Sequence, residues 1–217
     1  MASSSLSAEN SYFTIDELLA AIDDPNGEDC RRLYAMYRRR FEMSPGSSHN
    51  HQAWPGGYID HVVDAMNIGY KVYDLYNSLR PLPFSKSDVL LIVFLHDLEK
   101  PFRYTNEDGT LVETPVFLEK EQLEEFKRQL ITQAGITLTP QQSNALEFVE
   151  GIRDHKYRKD ARVMSELAVI CHIADLTSAR LWFNHPLAVG DPWPGAQRQH
   201  PAAAGFVLPS EWYPRTV

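Results

Sequence analysis

The stretch VFLHDLEKPFRY (93–104) ends an apolar segment with an imidazole that is followed directly by a carboxylate. Ser85 or Ser87 can cap a helix at the start of this segment, so the sequence predicts a buried helix that ends at His96. A histidine at that point can interact with the helix dipole, and Asp97 can cap the next turn. For a histidine–aspartate pair standing alone, this structural interpretation is favoured over a functional one.

Two more polar residues fall in apolar helical segments elsewhere in the chain. His61 lies on the apolar stripe of a long predicted helix that begins at Tyr58, and Asp175 lies within the apolar segment CHIADLTSAR. An unpaired buried carboxylate is costly, so Asp175 needs a partner. One metal ion would satisfy all of these groups, and mixed imidazole and carboxylate ligands suit divalent Mn, Fe, Co, Ni or Zn. The candidate metal ligands are therefore His61, His96, Asp97 and Asp175.

The rest of the chain carries mostly helical patterns. Thr14 and Thr139 each precede a helical segment and have Glu or Gln three residues later, which is a capping-box pattern. Asp108-Gly109 between two short β-prone runs predicts a hairpin. The expected fold class is an all-α orthogonal bundle with one small β-hairpin. Six prolines in the last 32 residues argue against regular structure there. The predicted division is a flexible N-terminus (1–13), a helical core (14–185) and a proline-rich irregular tail packed on the core (186–217).

Composition limits the classes of partner. The 217 residues include 21 Lys+Arg and 29 Asp+Glu, for a net charge of −8. The basic residues fall in short clusters, chiefly Arg38–Arg40 and HKYRKDAR (155–162), so a long nucleic acid is not an expected substrate. No apolar run approaches the roughly 18–20 residues of a membrane-spanning helix, so no membrane partner is expected. Cys30 and Cys171 are too few for a disulfide framework, which favours a reducing cytoplasm.

The order of the candidate ligands resembles the H…HD…D signature of the HD superfamily of metal-dependent phosphohydrolases. HQAWPGGYIDHVVDAM (51–66) is similar to HHAYPGGLLEHT in the HD-domain three-prime exoribonuclease branch, and LHDLEKP is similar to LHDLGK. GIRDHKY resembles the SHH segment, and HIADLTSAR resembles the closing HxAD helix. The resemblance covers roughly residues 34–182. It implies an HD-domain bundle in which metal-activated water attacks a phosphate ester or anhydride.

The resemblance also implies catalytic roles. Asp97 is a metal ligand and belongs to the catalytic set. His155 matches the first histidine of SHH and is a candidate general acid or substrate contact, with a surface-loop histidine as the alternative. Lys100 follows Asp97 by three residues and could reach a phosphate oxygen, with a solvated lysine at a helix end as the alternative.

Candidate substrate contacts come from two loops. His51 precedes the His61 helix and is expected near the metal, in a substrate-binding or supporting role. Trp54 in the same loop could stack on a nucleobase, although core packing is slightly favoured. The second loop contributes a basic pair, Lys156 and Arg158.

The chain departs from the family pattern at three positions. Glu99 replaces the usual glycine, and a solvated charge is favoured there over a group that tunes the metal. Lys156 replaces the second histidine of SHH, so one metal ion is expected and a second is left open. His172 lies three residues before Asp175, where the HxAD pattern places a packed residue rather than a ligand.

Three classes of function follow in order of preference. The first is a hydrolase acting on a nucleotide or short (cyclic) oligonucleotide, with a three-prime exonuclease on longer nucleic acid as a variant. The second is an HD-type iron oxygenase, which needs a fuller histidine set than this chain shows. The third is a binding module that keeps a structural metal. The sequence indicates no oligomeric state.

Overall fold

The computed structural model describes residues 11–47, 51–107, 110–113, 120–152, 162–182 and 191–196. This part of the chain is all-α with one two-stranded antiparallel hairpin, as predicted. The helices are α1 (Ile15–Ala20), α2 (Asn26–Met43), α3 (Gly57–Leu79), α4 (Lys86–Leu95), α5 (Lys120–Ala134), α6 (Pro140–Phe148) and α7 (Glu166–Leu176). A 3₁₀ turn (Lys100–Phe102) follows α4, and a π-helical segment (Thr177–Leu181) continues α7. The strands are β1 (Tyr104–Glu107) and β2 (Thr110–Glu113), and the predicted turn at Asp108-Gly109 lies outside the described residues.

The core is built around α3, which packs against α4 and α7. Every residue of α3 from Gly57 to Gly69 is buried. A Cβ atom on Gly69 would lie 3.0 Å from Val89 Cγ1, so glycine allows α3 and α4 to approach closely. Because the first half of α3 is enclosed on all sides, its polar residues must find partners inside the protein.

Side-chain caps define the start of α4. The Ser85 hydroxyl accepts a hydrogen bond from the Asp88 amide at 3.1 Å, and Asp88 Oδ2 accepts one from the Ser85 amide at 2.7 Å. Ser85 is therefore the cap, whereas Ser87 accepts a bond from the Asp23 amide at 2.8 Å. The predicted capping boxes at Thr14 and Thr139 are also present. These caps fix the helix starts, and α4 then places His96 directly after its last residue.

The end of the predicted flexible N-terminus is part of the core. Tyr12 and Phe13 are both buried. The Phe13 amide donates to Asn67 Oδ1 at 2.7 Å, and Asn67 Nδ2 donates back to the Phe13 carbonyl at 2.9 Å. The boundary at residue 13 therefore needs correction, because two aromatic side chains at this point bury apolar surface against α3.

Part of the proline-rich tail contacts this N-terminal segment. Of the predicted tail 186–217, the structure describes only 191–196. The Tyr12 amide donates to the Pro194 carbonyl at 2.8 Å, and the Trp193 and Tyr12 rings meet edge to face at 5.1 Å. None of the described helices combines the length and apolarity needed to span a bilayer.

Candidate metal centre

Three elements of the core bring polar side chains to one point. His61 lies in the buried half of α3, His96 follows α4, and Asp175 lies near the end of α7. Each offers one ligand atom, and these atoms lie within 4.8 Å of one another. His61 Nε2 is 3.2 Å from His96 Nε2 and 3.2 Å from Asp175 Oδ1. Three of the four predicted metal ligands thus share a single cluster, in which both histidines are buried and Asp175 is partly exposed.

The fourth predicted ligand, Asp97, lies beside this cluster. Its side chain is 1% exposed, and its Oδ2 is 3.0 Å from His96 Nε2 and 3.5 Å from His61 Nε2. Within the described part of the chain, no group donates a hydrogen bond to Asp97 Oδ1. A buried carboxylate oxygen without a donor is costly unless a cation is nearby, so Asp97 is suited to be a ligand.

Both histidines hold their other ring nitrogen away from the cluster. His96 Nδ1 lies 2.6 Å from the Val93 carbonyl, which can only accept, so Nδ1 carries the proton. His61 Nδ1 lies 3.1 Å from the Ser178 hydroxyl. Such a partner on the far nitrogen is typical of metal-binding histidines, because it orients the ring and leaves Nε2 to the ion.

The spacing and chemistry of these donors fit one divalent ion. Two nitrogens bound to a tetrahedral ion at about 2.0–2.1 Å are separated by roughly 3.3 Å. The two Nε2 atoms here are 3.2 Å apart. Two imidazoles with two carboxylates form the mixed donor set that divalent transition metals accept. The arrangement therefore fits a metal centre of the predicted kind.

The charges of the cluster depend on close pairing. Burial raises the pKa of Asp175, but hydrogen bonds and charge from His61 and His96 outweigh it and hold that pKa well below its ordinary value. Burial lowers the pKa of His96, but the Asp97 and Asp175 carboxylates overcome this and raise it to about 10. Burial dominates at His61, whose pKa is lowered. Without an ion, His96 is therefore an imidazolium that balances part of the carboxylate charge, and an ion that binds its Nε2 must displace that proton.

Lys100 supplies a further positive charge beside the carboxylates. Its Nζ lies 2.5 Å from Asp97 Oδ2, and its side chain is 19% exposed. Burial lowers the pKa of Lys100, but the Asp97 carboxylate outweighs this and raises it, so the ammonium stays charged. Lys100 therefore lies at the cluster, as its proposed phosphate contact requires, and is not a solvated lysine.

Glu99 is buried, which contradicts the expectation of a solvated charge. It is 7% exposed, and Lys127 from α5 is 6% exposed. Lys127 Nζ donates to the His96 carbonyl at 2.9 Å and lies 3.6 Å from Glu99 Oε2. Burial nevertheless raises the pKa of Glu99 to about 7. The two charged side chains enclose the turn that carries His96 and Asp97.

Lys127 was missed in the sequence although a signal was present. It occupies the apolar stripe of α5 together with the buried Leu123, Leu130 and Ile131. A lysine at such a position needs a buried partner. The sequence does not show that this partner is Glu99.

The loop before α3 lies next to the cluster. The His51 ring centroid is 5.0 Å from that of His61, and burial lowers the pKa of His51 to about 3, so the ring is neutral. Its Nε2 is buried and has no hydrogen-bond partner in the described part of the chain. The loop closes through Gly57, where a Cβ would lie 1.7 Å from the Gln52 carbonyl oxygen. His51 therefore remains a candidate for contact with a ligand.

Trp54 does not fit its predicted substrate contact. The residue is 1% exposed, and its indole Nε1 donates to Asp60 Oδ2 at 2.7 Å. An indole enclosed in this way has no free face for a nucleobase. Core packing, the alternative interpretation, describes Trp54 correctly, since a buried indole N–H needs an acceptor.

Other candidates lie apart from the cluster or outside the described residues. His172 Nδ1 donates to the Val149 carbonyl at 2.7 Å, and its ring packs on Gly151, which adopts a φ of +95°. His172 is therefore a packed residue, as the HxAD pattern indicates. Of the Arg38–Arg40 cluster, Arg38 pairs with Glu42 at 2.8 Å. His155, Lys156 and Arg158 lie outside the described residues, so their roles stay predictions.

Asp64 forms part of a polar layer behind His61 and gives a pH-dependent prediction. Burial, reinforced by Asp191 and Asp60, raises its pKa from 3.8 to about 8, although a hydrogen bond with Ser178 opposes the shift. Between these two pH values the folded protein binds more protons than the unfolded chain, so stability falls as pH rises. The free energy of unfolding of the metal-free protein, relative to Asp64→Asn, should decrease from pH 4 to pH 8 in urea titrations. Parallel pH profiles would contradict this assignment.

Comparison with known proteins gives one distant relationship. No family model matches the chain, and no solved structure matches it. A 70-residue segment is 30% identical to dihydroneopterin 2',3'-cyclic phosphate phosphodiesterase of Methanocaldococcus jannaschii. The segment covers 32% of this chain and 28% of that protein. The chain is thus similar, over a limited region, to a phosphodiesterase that acts on a cyclic phosphate.

Proposed function

We propose that the protein is a metal-dependent phosphohydrolase that cleaves a phosphate ester or anhydride of a small molecule, with a nucleotide or short cyclic oligonucleotide as the leading candidate. The observation that carries the proposal is the cluster of two buried imidazoles and a partly exposed carboxylate, whose ligand atoms lie within 4.8 Å of one another. The resemblance of its residues to the HD signature supports it. The similarity to a cyclic phosphate phosphodiesterase supports the same class of reaction.

The residues of the proposed site have distinct roles. His61, His96, Asp97 and Asp175 would hold one divalent ion. When bound, such an ion lowers the pKa of water toward roughly 7 and neutralises charge on a phosphoryl oxygen. The Val93 carbonyl and the Ser178 hydroxyl hold the two imidazoles in place through Nδ1. Asp97 and Asp175 carry the negative charge that retains a cation.

Contacts with the substrate would come from the rim of the cluster. The charged ammonium of Lys100 lies beside Asp97, at the edge of the cluster. From this position it can pair with an oxygen of a phosphate bound there. His51 is neutral, and its Nε2 has no hydrogen-bond partner among the described residues, so it can bond to a phosphate or hydroxyl group. We assign His155 as general acid or substrate contact, with Lys156 and Arg158 as basic neighbours, on the strength of the resemblance.

A panel of phosphate compounds tests the proposal. The purified protein is incubated with Mn²⁺, Co²⁺ or Ni²⁺ and with 2',3'-cyclic, 3',5'-cyclic and linear mononucleotides, dinucleotides and long RNA. We expect hydrolysis of a small substrate with a KM that changes little with salt, because the acidic chain has only short basic clusters. A protein that neutralises Z backbone phosphates loses affinity with a log–log slope of about −0.9Z on duplex DNA. Efficient degradation of long RNA with a steep salt slope would instead favour the three-prime exonuclease.

A further inference from the structure

The π-helical segment after α7 brings a buried hydroxyl behind the metal cluster. α7 ends at Leu176, and the segment Thr177–Leu181 continues it with wider turns. Segments of this kind are rare and are frequent at functional sites. Ser178 lies in this segment, three residues after Asp175, and is 0% exposed. The same stretch of chain thus provides a candidate ligand and a hydroxyl that contacts another candidate ligand.

The hydrogen bonds of Ser178 leave little freedom. Gln52 Nε2 donates to the Ser178 hydroxyl at 3.3 Å and to the Ser178 carbonyl at 3.2 Å, so the amide is oriented with its nitrogen toward Ser178. The Ser178 hydroxyl therefore accepts from Gln52 with one of its two lone pairs.

A hydroxyl donates one hydrogen bond and accepts two. One lone pair of Ser178 accepts from Gln52, and the hydroxyl oxygen lies 3.1 Å from His61 Nδ1, so the other lone pair can accept from that nitrogen. A neutral His61 that binds an ion through Nε2 carries its proton on Nδ1, and Ser178 is the acceptor placed for that proton. Gln52, His61 and Ser178 are 0% exposed, so bulk water does not compete for these bonds.

We propose that Ser178, held by Gln52, is a positioning residue that orients His61 and accepts the Nδ1 proton of its metal-binding tautomer. The inference rests on the proposed function, since it concerns the same metal centre. It differs from the direct carboxylate–histidine contact that often supports a metal ligand, because here the acceptor is a serine hydroxyl that is itself held by a glutamine amide. Hydrogen bonds thereby connect three segments at one candidate ligand, namely the loop before α3, α3 itself and the π-helical segment.

The test compares two serine-to-alanine changes in one continuous helical stretch. Ser178→Ala removes the acceptor for His61, whereas Ser165→Ala removes the N-terminal cap of α7, which accepts from the Ala168 amide at 3.2 Å. Zinc is the probe, and its affinity is measured by competition with a chelating dye. We expect Ser178→Ala to weaken zinc binding about 10–100-fold, the usual cost of losing such a supporting partner. Ser165→Ala should lower the melting temperature and leave zinc affinity unchanged.

A measurement on the wild-type protein keeps the inference testable if Ser178→Ala fails to fold. In the zinc-loaded, ¹⁵N-labelled protein, NMR should show His61 protonated at Nδ1 and bound through Nε2. Binding through Nδ1, or equal zinc affinity in wild type and Ser178→Ala, would overturn the inference alone. A wild-type protein that binds no divalent ion would overturn the proposed function as well.

Discussion

Replacing Asp97 with alanine should abolish both bound metal and hydrolytic activity. The carboxylate is 1% exposed, and its Oδ2 lies within 3.5 Å of both cluster imidazoles, so the change removes a negative charge directly beside the candidate ligands. The change also leaves the Lys100 ammonium, now 2.5 Å from Asp97, unpaired beside the site. A second positive charge near the ion opposes binding. Metal content per chain, measured by plasma mass spectrometry, and phosphate release check the result.

Asp74→Ala is the matched control, because it is the same substitution at an aspartate whose side chain is 52% exposed and pairs with Lys86. It should retain one metal ion per chain and full activity. Circular dichroism establishes that Asp97→Ala remains folded, and Asp97→Asn provides a variant of unchanged size. Full metal occupancy in a folded Asp97→Ala would remove Asp97 from the ligand set. Two irons per wild-type chain would favour the oxygenase alternative.

The convergence of His61, His96 and Asp175 could be predicted because each one interrupts an apolar pattern. All three lie in or directly after apolar helices, where a simple core would carry an aliphatic side chain. Burying a polar group without a partner is costly, so three such interruptions point to a shared partner. The caps of the helices were predicted for a similar reason, since their hydrogen bonds join residues only three apart.

The supporting residues could not be predicted, because their partners are distant in the chain. Gln52 and Ser178 are 126 residues apart, and Lys127 bonds to a carbonyl 31 residues away. Such contacts are set by how the helices pack, which no local pattern encodes. Trp54 shows the same limit, since a loop sequence does not state whether its aromatic side chain is covered by the core.

Replacing Lys127 with methionine should destabilise the protein strongly. The change leaves the Glu99 carboxylate buried without its cation and removes the donor to the His96 carbonyl. Removing one partner of a buried ion pair costs about 3–5 kcal/mol. Burial raises the pKa of Glu99 from 4.5 to about 7 even with Lys127 present. At pH 6 the folded protein therefore holds Glu99 mainly protonated and without need of a cation, whereas at pH 8 Glu99 is mainly ionised. The stability lost by Lys127→Met should thus be larger at pH 8 than at pH 6. Urea denaturation at the two pH values measures it.

A double substitution separates the contribution of the Glu99–Lys127 pair to stability from that of the other contacts of Lys127. Glu99→Gly with Lys127→Met removes both charges and introduces the glycine of the HD pattern that this chain resembles, so it should recover most of the stability lost by Lys127→Met alone. Lys86→Met is the matched control, because its partner Asp74 is exposed and such surface pairs contribute at most about 1 kcal/mol. A Lys127→Met variant no less stable than Lys86→Met would mean that the buried lysine does not compensate Glu99. Equal losses in the single and double variants would instead assign the effect to the other contacts of Lys127, with the His96 carbonyl at 2.9 Å and with Glu124 at 3.1 Å, because both are absent from both variants.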